Sequence, residues 1–255
     1  MESYTEIAEQ FERLLKLETP PVAIKFVKEG EEAPKGLTKR TKMITFCQGI
    51  TIARQGGYSL LLTDDNLGCK NAKIAFGLGG EEAVKKNKEA AAVKNLGKYA
   101  ANEEIARKII DVKPAIKPGE INAIAIAPLS KTKFQPDCIM FIVVPWQAYY
   151  LADAYFYNTG DAPLYYEVGT NAMVCAYNAV RAGYLKKISC GTACTGGRAY
   201  AGTESTQMYY TIPWEKVEIV LEGAKARNAK SPYPSLIYLG TPAPGPEKHV
   251  FNVEK

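Results

Sequence analysis

An α/β (α+β) fold, a mixed sheet flanked by helices in one compact unit, is predicted by three features of the sequence. Two runs, Ile121–Leu129 and Asp137–Val144, are apolar almost throughout, as central strands covered on both faces are. Around them lie stretches with apolar residues at helical spacing, several opened by capping residues or by proline. With 47% hydrophobic and 23% charged residues, a chain of 255 residues has ordinary globular composition and can bury a sizeable core.

Taken in order, Ser3-Tyr-Thr-Glu6 is a capping-box pattern, and Ile7, Phe11, Leu14 and Leu15 follow on one helical face. Thr19-Pro20-Pro21 stops that helix, because proline cannot donate to the ladder. Val22–Val27 alternates as a strand, with Val22, Ile24 and Phe26 on one face. A polar loop over Lys28–Lys42 leads to an apolar helix, Met43–Arg54, that holds Cys47 near its start and ends at Gly56-Gly57. Tyr58–Leu62 is a strand, and the turn-rich Thr63–Cys69 presents Cys69. Glu81–Lys98 and Asn102–Val112 are charged surface helices, and the two central strands follow them. Pro145–Asn158 is a helix rich in Trp and Tyr, and Asn171–Arg181 is another, with Cys175 inside. Ser189–Arg198 is a Gly- and Cys-rich turn, Tyr209–Ile212 a short strand, and Pro213 opens a last helix, Trp214–Ala226.

No break in composition divides the chain, so residues 1–229 are expected to form one domain and 230–255 an extended Pro/Gly-rich tail. A weak internal echo predicts two related halves. Cys47 lies in a helix ending at Gly57-Tyr58, and Cys69 follows in a glycine turn. Cys175 lies in a helix ending at Gly183-Tyr184, and Cys190 and Cys194 follow at a similar separation.

Several function classes are excluded at this level. The net charge of +5 is too small to imply a nucleic-acid partner, and the lysine clusters lack interleaved aromatics. No run of ~18 apolar residues is present to span a membrane, and the charged first helix is no signal peptide. The expectation is a soluble cytoplasmic protein, whose cysteines are reduced and serve as ligands, nucleophiles or packing. The one histidine, His249, sits in the tail, which argues against Ser-His-Asp, Cys-His and His-ligated zinc machinery. The concentration of Tyr149, Tyr150, Tyr155, Tyr157, Tyr165 and Tyr166, with the tail, points to a homo-oligomer.

Chemistry therefore falls to cysteine. Cys138, inside an apolar run, reads as a small core residue. Cys69, Cys190 and Cys194 lie among glycines that let backbone amides approach a sulfur-ligated cluster, and Arg198 could compensate its charge. The leading expectation is one iron–sulfur cluster, [4Fe–4S] in type, serving a redox partner or a small molecule. Its metal ligands are Cys47, Cys69 and Cys194, with either Cys175 or Cys190 as the fourth, and Gly68, Gly196 and Arg198 stand close by. The alternatives are a structural zinc on four thiolates in an interaction protein, and a metal-free thiol enzyme or small-molecule binder.

Several short pieces occur in a recognisable order: Pro20-Pro21-Val-Ala-Ile-Lys-Phe26, Cys47-Gln48, Gly68-Cys69, Phe76-Gly77-Leu78, Pro136-Asp137, Pro145-x-Gln147-Ala148 and Cys194-Thr-Gly-Gly-Arg198. Together, over roughly Thr19–Ala226, they resemble the DUF169 family of uncharacterised archaeal and bacterial proteins, found often in anaerobes. The resemblance implies that Cys194, Gly196 and Arg198 match a C-x-G-x-R pattern and that Cys47, Cys69 and Cys175 fall on family cysteines. It marks Cys190 as an extra, which favours Cys175 as the fourth ligand.

Overall fold

The computed structural model describes residues 2–161, 165–166 and 174–230, the side chains of Tyr165, Tyr166 and Lys230 excepted. The expected tail beyond Lys230, His249 within it, and the start of the Asn171 helix lie outside the described residues.

Ser3 caps α1 (Tyr4–Leu15): its Oγ accepts from Glu6 N, while its own amide donates to Glu6 Oε2 at 2.7 Å. β1 (Val22–Lys28) follows the two prolines, and the next loop contains the short strand β2 (Thr38–Lys39). A second capping box, Thr45 with Gln48, opens α2 (Phe46–Gly56). That helix starts at Phe46 rather than Met43 because Thr45 supplies the cap, and Met43 stays exposed. β3 (Leu60–Thr63), α3 (Lys70–Phe76), α4 (Gly80–Asn95), α5 (Glu103–Asp111) and β4 (Ile121–Pro128) complete the first half. The second half comprises β5 (Cys138–Val143), α6 (Pro145–Thr159), β6 (Tyr165–Tyr166), α7 (Val174–Gly183), β7 (Ser189–Thr192), α8 (Thr195–Ala201), β8 (Met208–Pro213) and α9 (Val217–Lys230). Pro213 closes β8 instead of opening the last helix, and a short 3-10 turn stands between the two.

The strands form one open mixed sheet in the order β2-β3-β4-β1-β5-β8-β7-β6. That order is a two-fold repeat in which β1, β2, β3 and β4 correspond to β5, β6, β7 and β8. The registers repeat with it. Val22 faces Pro128 as Cys138 faces Pro213, and Leu60 faces Ile126 as Ser189 faces Thr211. At the edges, Thr38 runs parallel to Leu60 as Tyr165 does to Ser189. The local axis passes through the β1–β5 pair where Ala23 meets Ile139. Each half also ends alike. After Pro128 and after Pro213 comes a single 3-10 turn, whose first amide donates to the carbonyl of Pro21 (2.8 Å) or of Asp137 (3.0 Å). The two related halves expected from the cysteine spacing are thus present in the backbone.

Helices cover both faces. Val22, Ile24, Phe26, Leu62 and Ile126 pack under α2, α3, α7 and their neighbours. Ala23, Val27, Ala125, Ile139 and Phe141 pack under α1, α6 and α9. The alternation in β1 therefore separates two buried faces rather than a core face from a wet one. The repeat is broken in one place that matters for the site: α4 and α5 are inserted between α3 and β4, whereas only a short loop separates α8 from β8.

On the opposite face α6 and α9 pack closely. Gly223 of α9 rests on the backbone of Ala154, where a Cβ would collide with the carbonyl. Gly223→Ala is expected to destabilise the fold by roughly 1–3 kcal/mol, read as a lower urea midpoint with unchanged slope. A variant as stable as the parent would contradict this packing.

Candidate functional site

The repeat brings four thiols to one place. Cys47 lies in the first turn of α2, and Cys175 lies in α7, the corresponding helix. Cys69 occupies the N-cap position of α3 without a side-chain cap bond, and Cys194 occupies that of α8, where its sulfur accepts from Gly197 N. All four line a single cavity of about 390 Å³ on the α2–α7 face of the sheet, with Gly68 and Gly196 in its wall. Cys47, Cys175 and Cys194 are buried, and half-buried Cys69 marks the side nearer solvent.

The other candidates stand apart. Cys190 lies not in a glycine turn but in β7, paired with Tyr210, at the position Leu61 occupies in β3. Strand alternation sends its side chain to the opposite face of the sheet, into the core under α6 and α9. Burial there pushes its thiol up to about 12. Cys138 is fully buried in β5, its Sγ 3.7 Å from the Ala179 carbonyl oxygen, as its apolar neighbours predict. Arg198 is exposed on α8 and is not among the residues that line the cavity.

The electrostatics of the four thiols are unequal. The Cys175 thiol donates to Cys47, which is the main reason that Cys47 is lowered to about 7. Thr45 Oγ1, 3.1 Å from Cys47 Sγ, and the backbone amides of Gln48 and Cys47 work in the same direction against burial. Holding that hydrogen bond, together with burial, raises Cys175 well above the usual thiol range. Cys69 is raised by burial first, with the amides of Ala72 and Asn71 opposing and the thiols of Cys47 and Cys194 adding to the rise. Gly197 N points at Cys194 Sγ from 3.4 Å. Beneath α8 lies Tyr209, fully buried, with its hydroxyl 3.0 Å from Thr203 Oγ1. Burial raises its phenol, and Cys175, Cys47 and Cys194 add to the effect.

Several wall residues carry no signal in the sequence beyond that of a charged surface helix. Lys94, Asn95, Lys98 and Tyr99 come from the end of α4 and the turn after it, and Lys70 from the start of α3. Their lysines read as a solvated face and are exposed, but the packing of Ala91 into the core beside the cysteines sets them at the cavity rim. No Asp, Glu or His belongs to the described lining. Among the described residues no three Cys, His, Asp or Glu side chains are grouped closely enough to hold one metal ion. The described helices also include none long and apolar enough to cross a membrane.

Iodoacetamide should label Cys47 of the metal-free protein with a midpoint near pH 7, matching a thiol lowered to about 7. Cys175→Ala removes the donor, so the Cys47 pKa rises and labelling at neutral pH slows. Unchanged labelling in that variant would contradict the pairing.

No solved structure matches the chain significantly. The uncharacterized protein MJ0308 of Methanocaldococcus jannaschii is 33% identical over 218 residues, covering 85% of this chain and 91% of that protein. Residues 10–223, which contain all the described strands and the four cavity cysteines, match the family described as uncharacterised ArCR. The chain belongs to the DUF169 family.

Proposed function

We propose that the protein holds one [4Fe–4S] cluster on Cys47, Cys69, Cys175 and Cys194 and works on electrons or a small ligand there. The observation that carries this reading is the convergence of four thiols, two from each half, on one cavity with no His, Asp or Glu in its described lining. A cubane cluster takes one thiolate per iron, so holding one would part the hydrogen-bonded Cys47 and Cys175 thiols around it. A single zinc ion would instead draw four sulfurs to one point, so metal analysis for zinc as well as iron separates the two. The cavity volume of about 390 Å³ leaves room for a cubane cluster.

The surrounding residues suit a sulfur-rich, negatively charged group. Gly197 N is aimed at a ligand sulfur, and the amides of Ala72 and Asn71 favour a Cys69 thiolate. Lys70, Lys94 and Lys98 place positive charge in the wall. Three of the four thiols are buried, which limits access of water and oxygen to whatever they hold. When bound, the cluster would supply one-electron redox chemistry, while the chain orients it and sets its surroundings.

A second reading has its own support. The hydrogen-bonded Cys47–Cys175 pair, with one thiol lowered and the other raised, is also the arrangement of a metal-free dithiol. Iron analysis of single variants separates the two. After anaerobic reconstitution, Cys47→Ala, Cys69→Ala, Cys175→Ala and Cys194→Ala should each lose most of the bound iron and sulfide. Cys138→Ala and Cys190→Ala, which remove thiols outside the cavity, should retain the parental amounts. Equal iron in all six variants, with circular dichroism showing each folded, would overturn the cluster assignment.

A further inference from the structure

The cavity is asymmetric in a way that its thiols are not. The cysteines come from elements that each half possesses, α2 with α7 and α3 with α8. Lys94 and Asn95 come from α4, with Lys98 and Tyr99 just beyond it, and α4 belongs to the insertion that only the first half carries. Lys70, at the start of α3, adds a third cation to the lining. Neighbouring lysines are neutralised: Lys73 lies 2.9 Å from Asp64, and Lys88 lies 2.8 Å from Asp111. Lys70 and Lys94 have no such carboxylate among the described residues, and Lys98 is held over the Tyr99 ring at 5.1 Å. Three cations without an acid thus share a concave space with buried Asn95 and half-buried Tyr99. A cavity of about 390 Å³ falls within the ~300–1,000 Å³ typical of small-molecule sites.

We infer that the cavity binds a small oxyanion, a carboxylate or a phosphate ester, between the thiols and the α4 wall, through Lys70, Lys94 and Lys98. The inference rests on reading this cavity as the working site and names the class of ligand it takes. Asn95 and Tyr99 offer polar contacts to the rest of the ligand, and the absence of acids from the wall keeps the field of one sign. Lys94 and Lys98 are exposed, so their replacement leaves the core untouched.

Isothermal titration of inorganic phosphate, and separately of malonate, into metal-free and iron-loaded protein tests this. Saturable binding of at least one anion is expected, about tenfold or more weaker in the K94Q/K98Q double variant. Binding should be unchanged in Lys133→Gln, which alters an exposed lysine outside the cavity wall. Tighter binding of phosphate assigns a phosphate ester as ligand, and tighter binding of malonate assigns a carboxylate. No saturable binding of either anion to either form, or equal weakening by Lys133→Gln, overturns the inference. Iron content reads out the cluster separately. Anion binding without iron would remove the cluster and keep the anion site, and iron without anion binding would do the reverse.

Discussion

The antiparallel pairing of β1 with β5, centred where Ala23 meets Ile139, is the contact on which the rest of the molecule depends. It joins two halves whose strands repeat in order, direction and register, and so puts α2 and α7 side by side on one face of the sheet. Side chains alternate between faces with a period of two, so a slip of one residue would exchange the buried faces of a half. The same alternation separates Cys190, whose strand position faces α6 and α9, from the four thiols on the other side. The cavity is a consequence of the pairing more than of any local motif: no single segment contains more than one of its four cysteines.

Within that frame the thiols carry opposing physical demands. Burial resists ionisation, and Cys69 and Cys175 are raised by it. Amide groups, the Thr45 hydroxyl and the thiol–thiol hydrogen bond favour the charged form, and at Cys47 they win. Under the cluster proposal, binding of a cationic centre would draw off the protons of the three thiols that are not lowered. The exposed lysines of the α3–α4 wall stand at the outer part of the same space, where solvent and salt screen charge more than in the interior.

Much of this was legible in the residues, for reasons that can be stated. The Ser3–Glu6 box set the first helix, because a capping box is a local contract between adjacent residues. The β4 and β5 runs revealed central strands, because only burial on both faces supports such continuous apolar character. The cysteine echo revealed the two halves, because the equivalent helices end alike at a Gly-Tyr pair. What stayed hidden depends on distant partners. Ser189–Thr192 reads as a glycine-rich turn, and only pairing with β8 makes it a strand, which is why Cys190 and Cys194 looked alike. α3 and α8 are short and begin at cysteines, which are not among the favoured capping residues. The lysines of α4 were indistinguishable from an ordinary solvated face until the insertion was seen to close over the thiols.

Four cysteines from two equivalent halves are proposed to form one cluster site. The most direct test is to purify the intact chain without oxygen and measure its iron, acid-labile sulfide and visible absorption. A brown protein with about four irons and four sulfides per chain and a broad band near ~400 nm is expected. A colourless protein that takes up neither iron nor sulfide on reconstitution would contradict the proposal.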